Sequence, residues 1–347
     1  MNSKERCLSV LRGEKPDFIP VFPLLMFFSQ KRSGVNYKTF ATNGHALAEA
    51  QLQIRDKFSV DAITACSDAF RITADLGAEM MHPDDSPPYA VTPLIKTEGD
   101  LNRLRKPDCS NLKTRMYDRV IAVREMVKSA GEECLVAGWV DMPFAEACSV
   151  CGITEFMTMI VDNPEMAHKI LLFLTDIVID FSLIQLQAGA PIIGAGDAAA
   201  SLISSGLYEE FVLPYEQKVC AAVHTNSGLV KLHICGNTAH LMKKMTACGA
   251  DLFNVDHMVD LAEAKNVYTA KNLAFKGNLN PVNDFLHSTP EKCEQKTMEC
   301  MKKTEGSRYM LSAGCEIPAD TSDEVFSAFC NSPRKINIPL ADDTTNS

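Results

Sequence analysis

Short apolar runs rich in β-branched residues alternate with longer helical patterns through most of this chain, and that alternation restricts the fold more than any other feature. Eight runs read as strands: 18–22, 62–66, 134–140, 191–195, 229–234, 252–255, 273–276 and 308–311. Strands that alternate with helices pack as a parallel sheet, because each parallel crossover needs a helix's length of chain. Eight of them, with no compositional break between, predict an α/β fold: one closed (β/α)8 TIM barrel over residues 1–340 and a polar tail at 341–347.

Helix signals support the same plan. Asn163-Pro164-Glu165 supplies a capping residue, a first-turn proline and an acid ahead of a helix over 166–187, which Gly189 ends. Further helices are expected over 207–224, after Thr289-Pro290-Glu291, and from Thr321, with Ser322 or Asp323 as cap. The stretch 81–93 holds four prolines and few periodic apolar residues, so it reads as a loop.

Composition narrows the functional class. With 46% hydrophobic and 22% charged residues, a chain of 347 residues can bury a full globular core. A formal net charge of −10 argues against nucleic acid or an anionic membrane as partner. The start, Met1-Asn2-Ser3-Lys4-Glu5-Arg6, reads as a polar helix and not a signal peptide, and the apolar stretch 170–186 contains Asp176 and Asp180, as a buried helix does. Thirteen cysteines without framework spacing predict reduced thiols and a cytoplasmic protein.

The chemically capable residues fall just after strands: Asp141, Asp197, His233 with Cys235, Asp256 with His257, and Cys315. In a parallel barrel that C-terminal rim gathers groups from several strands into one site. An Asp in such a place is equally often a helix cap, so each single acid stays open. The His-x-Cys spacing is more telling. Side chains two apart on a strand share a face, so His233 and Cys235 point the same way, and Cys315, in a Gly-flanked turn, could complete three ligands of a zinc site. Catalytic zinc keeps a fourth position for water or substrate, where structural zinc is closed by four protein ligands. Against this, buried cysteines often simply pack. Cys148-Ser149-Val150-Cys151 has redox or zinc-knuckle spacing but no second pair, and reads as small residues opening a helix.

The segments His233-Ile234-Cys235-Gly236-Asn237-Thr238, Asp256, Gly277-Asn278-Leu279-Asn280-Pro281 and Gly314-Cys315-Glu316-Ile317-Pro318 resemble the uroporphyrinogen decarboxylase-like superfamily, and within it the zinc-dependent, corrinoid-linked methyltransferases. That resemblance, which spans nearly the whole chain, implies a (β/α)8 barrel with His233, Cys235 and Cys315 as zinc ligands. The decarboxylase branch holds porphyrin carboxylates with an arginine-rich N-terminal segment; here the matching stretch, Leu24 to Gln30, has no arginine. Porphyrinogen decarboxylation is therefore not expected.

Methyltransferases of this kind run in two directions: from a methyl-corrinoid to a thiol such as coenzyme M, or from a methoxylated donor to the corrinoid. A sulfonate-bearing thiol rewards a cationic rim, whereas a methoxyarene wants apolar walls. The run Phe22, Leu25, Met26, Phe27, Phe28 supplies apolar material, with Phe27 and Phe28 as candidate substrate contacts, although plain core packing would use the same residues. The stretches 251–258 and 309–315 look most like the O-demethylase branch. Phenolate, with a conjugate acid near pKa ~10, also leaves far more easily than an aliphatic alkoxide.

The expected function is thus transfer of an O-methyl group from a methoxylated aromatic compound to the corrinoid of a partner protein. Asp197 is expected to handle the oxygen or its proton. Glu316 adjoins Cys315 as a supporting acid or helix cap, Asp256 orients the site, and Asp141 and His257 contact substrate. The resemblance implies a corrinoid, and since the chain lacks an Asp-x-His-x-x-Gly segment of the kind that holds cobalamin, it implies that the corrinoid is carried by a separate partner protein. The alternatives are methyl transfer from a methyl-corrinoid to coenzyme M or another thiol and, from a different class, a non-catalytic corrinoid-protein-binding zinc barrel; a homodimer is a further expectation.

Overall fold

The computed structural model describes residues 1–335; the expected tail at 341–347 lies outside them. Its strands are β1 (Ala62–Thr64), β2 (Met80–Met81), β3 (Tyr89–Ala90), β4 (Leu135–Asp141), β5 (Ile192–Gly196), β6 (Leu229–His233), β7 (Leu252–Asn254), β8 (Ala274–Leu279) and β9 (Tyr309–Ala313). Seven of them pair in parallel in the order β1-β4-β5-β6-β7-β8-β9, and β2 and β3 form a short antiparallel hairpin that overlaps the start of the stretch 81–93 expected as loop.

The eighth position is not the strand expected at 18–22. Val21 bridges Leu311 of β9, the Phe22 N–H donates to Leu311 O (2.9 Å), and the Asp61 N–H at the foot of β1 donates to Val21 O (2.9 Å). Residues 20–24 therefore close the curled sheet between β9 and β1 as an extended stave. Pro20 and Pro23 have no N–H to give, so a regular ladder cannot persist there. The result is a (β/α)8-type barrel with seven strands and one stave.

Alternation along the strands stacks the barrel interior in layers. At the bottom, Phe22, Leu135, Ile192, Leu252 and Met310 pack together, with Cys7 and Val10 of the helix Ser3–Arg12 beneath them. Register then sets Trp139 beside Gly194 and Lys231. Two residues further on it sets Asp141 beside Gly196, His233 and Asn254. The sheet that buries apolar side chains at its foot thus delivers polar ones to its C-terminal rim.

The helices cover the outside. Asn163 caps Pro164–Gln187 by accepting from Met166 N–H, and this helix buries Ile170, Leu174, Ile177 and Phe181. Among the described residues it is the one unbroken helix long and apolar enough to cross a membrane, and half of its most apolar stretch is buried inside the fold. The helix expected over 207–224 is instead two, Ser205–Phe211 and Leu213–Thr225. Pro214 explains the break: it has no N–H to bond the Glu210 carbonyl and carry the first helix on, and it sits in the first turn of the second.

Candidate metal centre

β6 ends at His233, and the chain turns at Gly236 with φ 87°, a left-handed conformation that favours glycine. His233 Nε2 lies 3.1 Å from Cys235 Sγ, and Cys235 Sγ lies 3.7 Å from Cys315 Sγ. All three donor atoms fall within 4.8 Å of one another. Two thiolates bound at about 2.3 Å to a tetrahedral zinc ion stand about 3.8 Å apart, so the sulfur spacing fits such an ion. One imidazole and two thiolates also form a borderline-soft donor set, suited to zinc and unsuited to magnesium or calcium.

The three ligand loops are tied to one another. Cys315 follows β9 through Gly314, where a Cβ would meet the His257 backbone nitrogen at 2.2 Å, so only glycine allows this approach. Asn254, at the end of β7, serves both sides: its carbonyl faces His233 Nδ1 at 3.4 Å, and its Nδ2 donates to Gly314 O at 3.2 Å. Asp256 holds the Cys235 turn, accepting from Gly236 N–H (2.9 Å) on one oxygen and from Met258 N–H (2.9 Å) on the other. The Cys235 side chain draws the Cys315 thiol down to about 3; burial opposes this and His233 assists. The Cys235 thiol is pushed up in return, chiefly by the same sulfur–sulfur contact and then by burial. The opposite shifts favour one thiolate beside one thiol, and cation binding displaces the remaining proton.

A cavity of about 700 Å³ opens beside Cys235 of this triad, lined by Cys235, Gly236, Asp141, Phe70, Ile153 and Leu202 among others. Among the described residues no lysine, arginine or histidine lines it, and Asp141 is its one carboxylate. Burial pushes the Asp141 carboxyl up to about 7, against the pull of the Arg119 guanidinium. Beneath the site, Lys231 is wholly buried 4.6 Å from the Trp139 ring, and its ammonium is brought down to about 8 by burial, with the cysteine thiols opposing.

Several expected site residues stand elsewhere. Asp197 is fully buried and does not line the cavity: it accepts from Ala145 N–H (2.8 Å) and hydrogen-bonds Glu216, which also takes the Tyr208 hydroxyl. Glu316 caps the helix Phe27–Ser33, accepting from Met26 N–H (2.6 Å) and Phe27 N–H (2.8 Å). His257 is exposed and turned to Asp256 (2.9 Å). Phe28 is core, packed on Phe58 and Phe326, and Phe27 lies against Tyr37. Neither phenylalanine lines the cavity; Phe70, Ile153 and Leu202 do. The apolar run after the stave went inward because its helix packs on the barrel's flank. Cys148 lines the cavity, while Cys151 is buried and joins no donor cluster.

Asn254 and Glu216 were not singled out from sequence. Asn254 had a legible signal, being a polar residue on the inward parity of an apolar strand. Glu216 had none beyond its place in an amphipathic helix.

The fold and the rim together define a class: a parallel α/β barrel that presents a His–Cys–Cys donor set at the C-terminal ends of its strands. The chain belongs to the uroporphyrinogen decarboxylase (URO-D) family, whose description matches residues 2–336. Similar relatives include the uroporphyrinogen decarboxylases of Trichodesmium erythraeum, 26% identical over 350 residues and covering 96% of both chains, and of Coxiella burnetii, 24% identical and covering 96% and 95%. Among solved structures, a methyltransferase from Methanosarcina mazei superposes with a TM-score of 0.87 at 20% identity, covering 96% of this chain and 98% of that one. A B12-independent methionine synthase from a Shewanella species reaches 0.59 at 12% identity, covering 84% and 85%. At these identities the two structures establish the fold.

Proposed function

We propose that this protein is a metal-dependent methyltransferase that takes the methyl group of an uncharged methoxylated aromatic compound and passes it to the reduced corrinoid of a separate protein. The observation that carries this reading is a soft donor triad whose Cys235 borders a cavity with no basic side chain in its lining among the described residues. The methyltransferase name of the Methanosarcina mazei structure supports the same class. Bound by His233, Cys235 and Cys315, a zinc-class ion supplies Lewis acidity toward the heteroatom of the methyl donor.

The chain's own residues do the rest. Phe70, Ile153 and Leu202 give an apolar wall for a flat donor, and the cavity's volume suits a small aromatic molecule. Asn254 and Asp256 fix the ligand loops so that the triad need not reorganise during the reaction. A porphyrinogen, with its several carboxylates, would meet no cation in this lining, and neither would the sulfonate of coenzyme M.

The test combines purified protein, zinc and a reduced corrinoid protein with methoxyarenes, and separately a methylated corrinoid protein with coenzyme M. Formation of methyl-corrinoid from methoxyarenes, followed by absorbance, is the expected result. Consumption of methyl-corrinoid only on adding the thiol would reverse the direction. Carboxyl loss from uroporphyrinogen would return the chain to the activity its relatives are named for.

A further inference from the structure

Asp141 has a geometry that no other acid of the rim shares. It ends β4 with its side chain on the inward face, beside Gly196 and, one strand further, His233. A Cβ on Gly196 would stand 3.0 Å from Asp141 Oδ1 and 2.9 Å from Trp139 Cζ2. The missing side chain on β5 is therefore what leaves space for the carboxyl and the indole beneath it to lie over β5, with Asp141 lining the same cavity as Cys235. The other candidates are committed elsewhere: Asp197 to Glu216, Glu316 to the Met26 and Phe27 N–H groups, and Asp256 to the Cys235 turn.

Resting on the function proposed above, we propose that Asp141 is the catalytic acid of this site, giving its proton to the ether oxygen as the methyl group departs. The carbon–oxygen bond breaks with both electrons left on oxygen. The methyl carbon takes an electron pair from the reduced cobalt of the partner's corrinoid, which is oxidised by two electrons. The carboxyl proton moves to the departing oxygen, so the product leaves as a neutral phenol and Asp141 is left as carboxylate, to be reprotonated from water.

The surroundings suit an acid that must both hold and release a proton. Burial keeps the neutral form populated near neutral pH, while the Arg119 guanidinium and the Trp139 indole favour the carboxylate that forms. Arg119 is fixed for this role by donating to Trp139 O (3.1 Å) and Asp68 O (2.8 Å). Burial also pushes the Glu146 carboxyl well up, and the neighbouring Asp141 adds to that shift. Trp139 is accordingly a positioning residue.

The experiment compares wild type and Asp141→Asn across para-substituted methoxybenzenes, from electron-rich to nitro-substituted, with zinc content measured for both. General acid catalysis contributes about 10²–10⁴-fold when the leaving group needs the proton. The expected result is a loss of about 10²-fold or more on electron-rich donors, shrinking toward wild-type rates on the nitro compound, at equal zinc content. A second reading, independent of turnover, is phenol binding: wild type should bind the demethylated phenols about tenfold or more tighter than Asp141→Asn, since a carboxylate acceptor is lost. An equal loss on every donor, or equal phenol binding, overturns the role of Asp141 and leaves the demethylase reading standing. Wild type that demethylates no methoxyarene overturns both.

Discussion

Cys235 and Cys315 approach to 3.7 Å without forming a disulfide, with the His233 imidazole on one flank, so removing any one of the three leaves fewer ligands than a zinc ion needs. His233→Ala and Cys315→Ser should each purify with less than about a tenth of the wild-type zinc, whereas Cys148→Ser, whose thiol lies outside the triad, should purify with the full amount. Elemental analysis decides this, and zinc lost from the Cys148 variant would overturn the ligand assignment. Asp256 acts one step back, through the Gly236 amide. Asp256→Ala should keep the fold and weaken zinc binding about 10–100-fold, read by chelator competition, as loss of a supporting hydrogen bond does elsewhere.

Between elements, the residue pair that matters is Asp197 with Glu216. It joins the end of β5 to the N-terminus of the helix Pro143–Cys151 and to the helix Leu213–Thr225, with Tyr208 of Ser205–Phe211 closing the group. Burial raises both carboxyls, Glu216 to about 7. The folded state therefore keeps protons that the unfolded chain gives up above its ordinary range, near 4.5 for a glutamate. Stability from this pair is complete below that range and falls as pH rises through about 7. Glu216→Gln keeps an acceptor for Tyr208 and removes the titration. Unfolding free energy against pH should lose up to one proton's slope, about 1.4 kcal/mol per pH unit, between those limits; a slope identical to wild type would falsify the linkage. A simpler case is Asn163, whose side chain caps the long core helix at Met166 N–H. Asn163→Ala should cost about 1 kcal/mol in urea unfolding, with the site untouched.

On the scale of the whole molecule, the fold was legible because the alternation of strand and helix is repeated along the chain and each repeat admits one kind of packing. The eighth stave was misread as a strand because apolar periodicity says nothing about the N–H groups that Pro20 and Pro23 lack. The triad was legible because His233 and Cys235 share a strand's face and Cys315 sits in a glycine turn. Which acid faces the cavity was not legible. Asp141, Asp197 and Asp256 all follow strands, and only packing decides that one meets the cavity, one meets Glu216 and one holds a loop. The same global arrangement makes a prediction about stability. The donor triad joins the rim after β6 to the rim after β9, which lie 80 residues apart in sequence, so a cation bound there exists only in the folded chain. An ion that binds the native state alone stabilises it by about 2.7 kcal/mol at a free concentration ~100 times its dissociation constant. Chelation should therefore lower the midpoint of thermal unfolding by several degrees and zinc should restore it in proportion to the logarithm of its concentration. Cys315→Ser should unfold at one temperature whatever the zinc level. A wild-type midpoint equally indifferent to zinc would mean that no ion links those two rims.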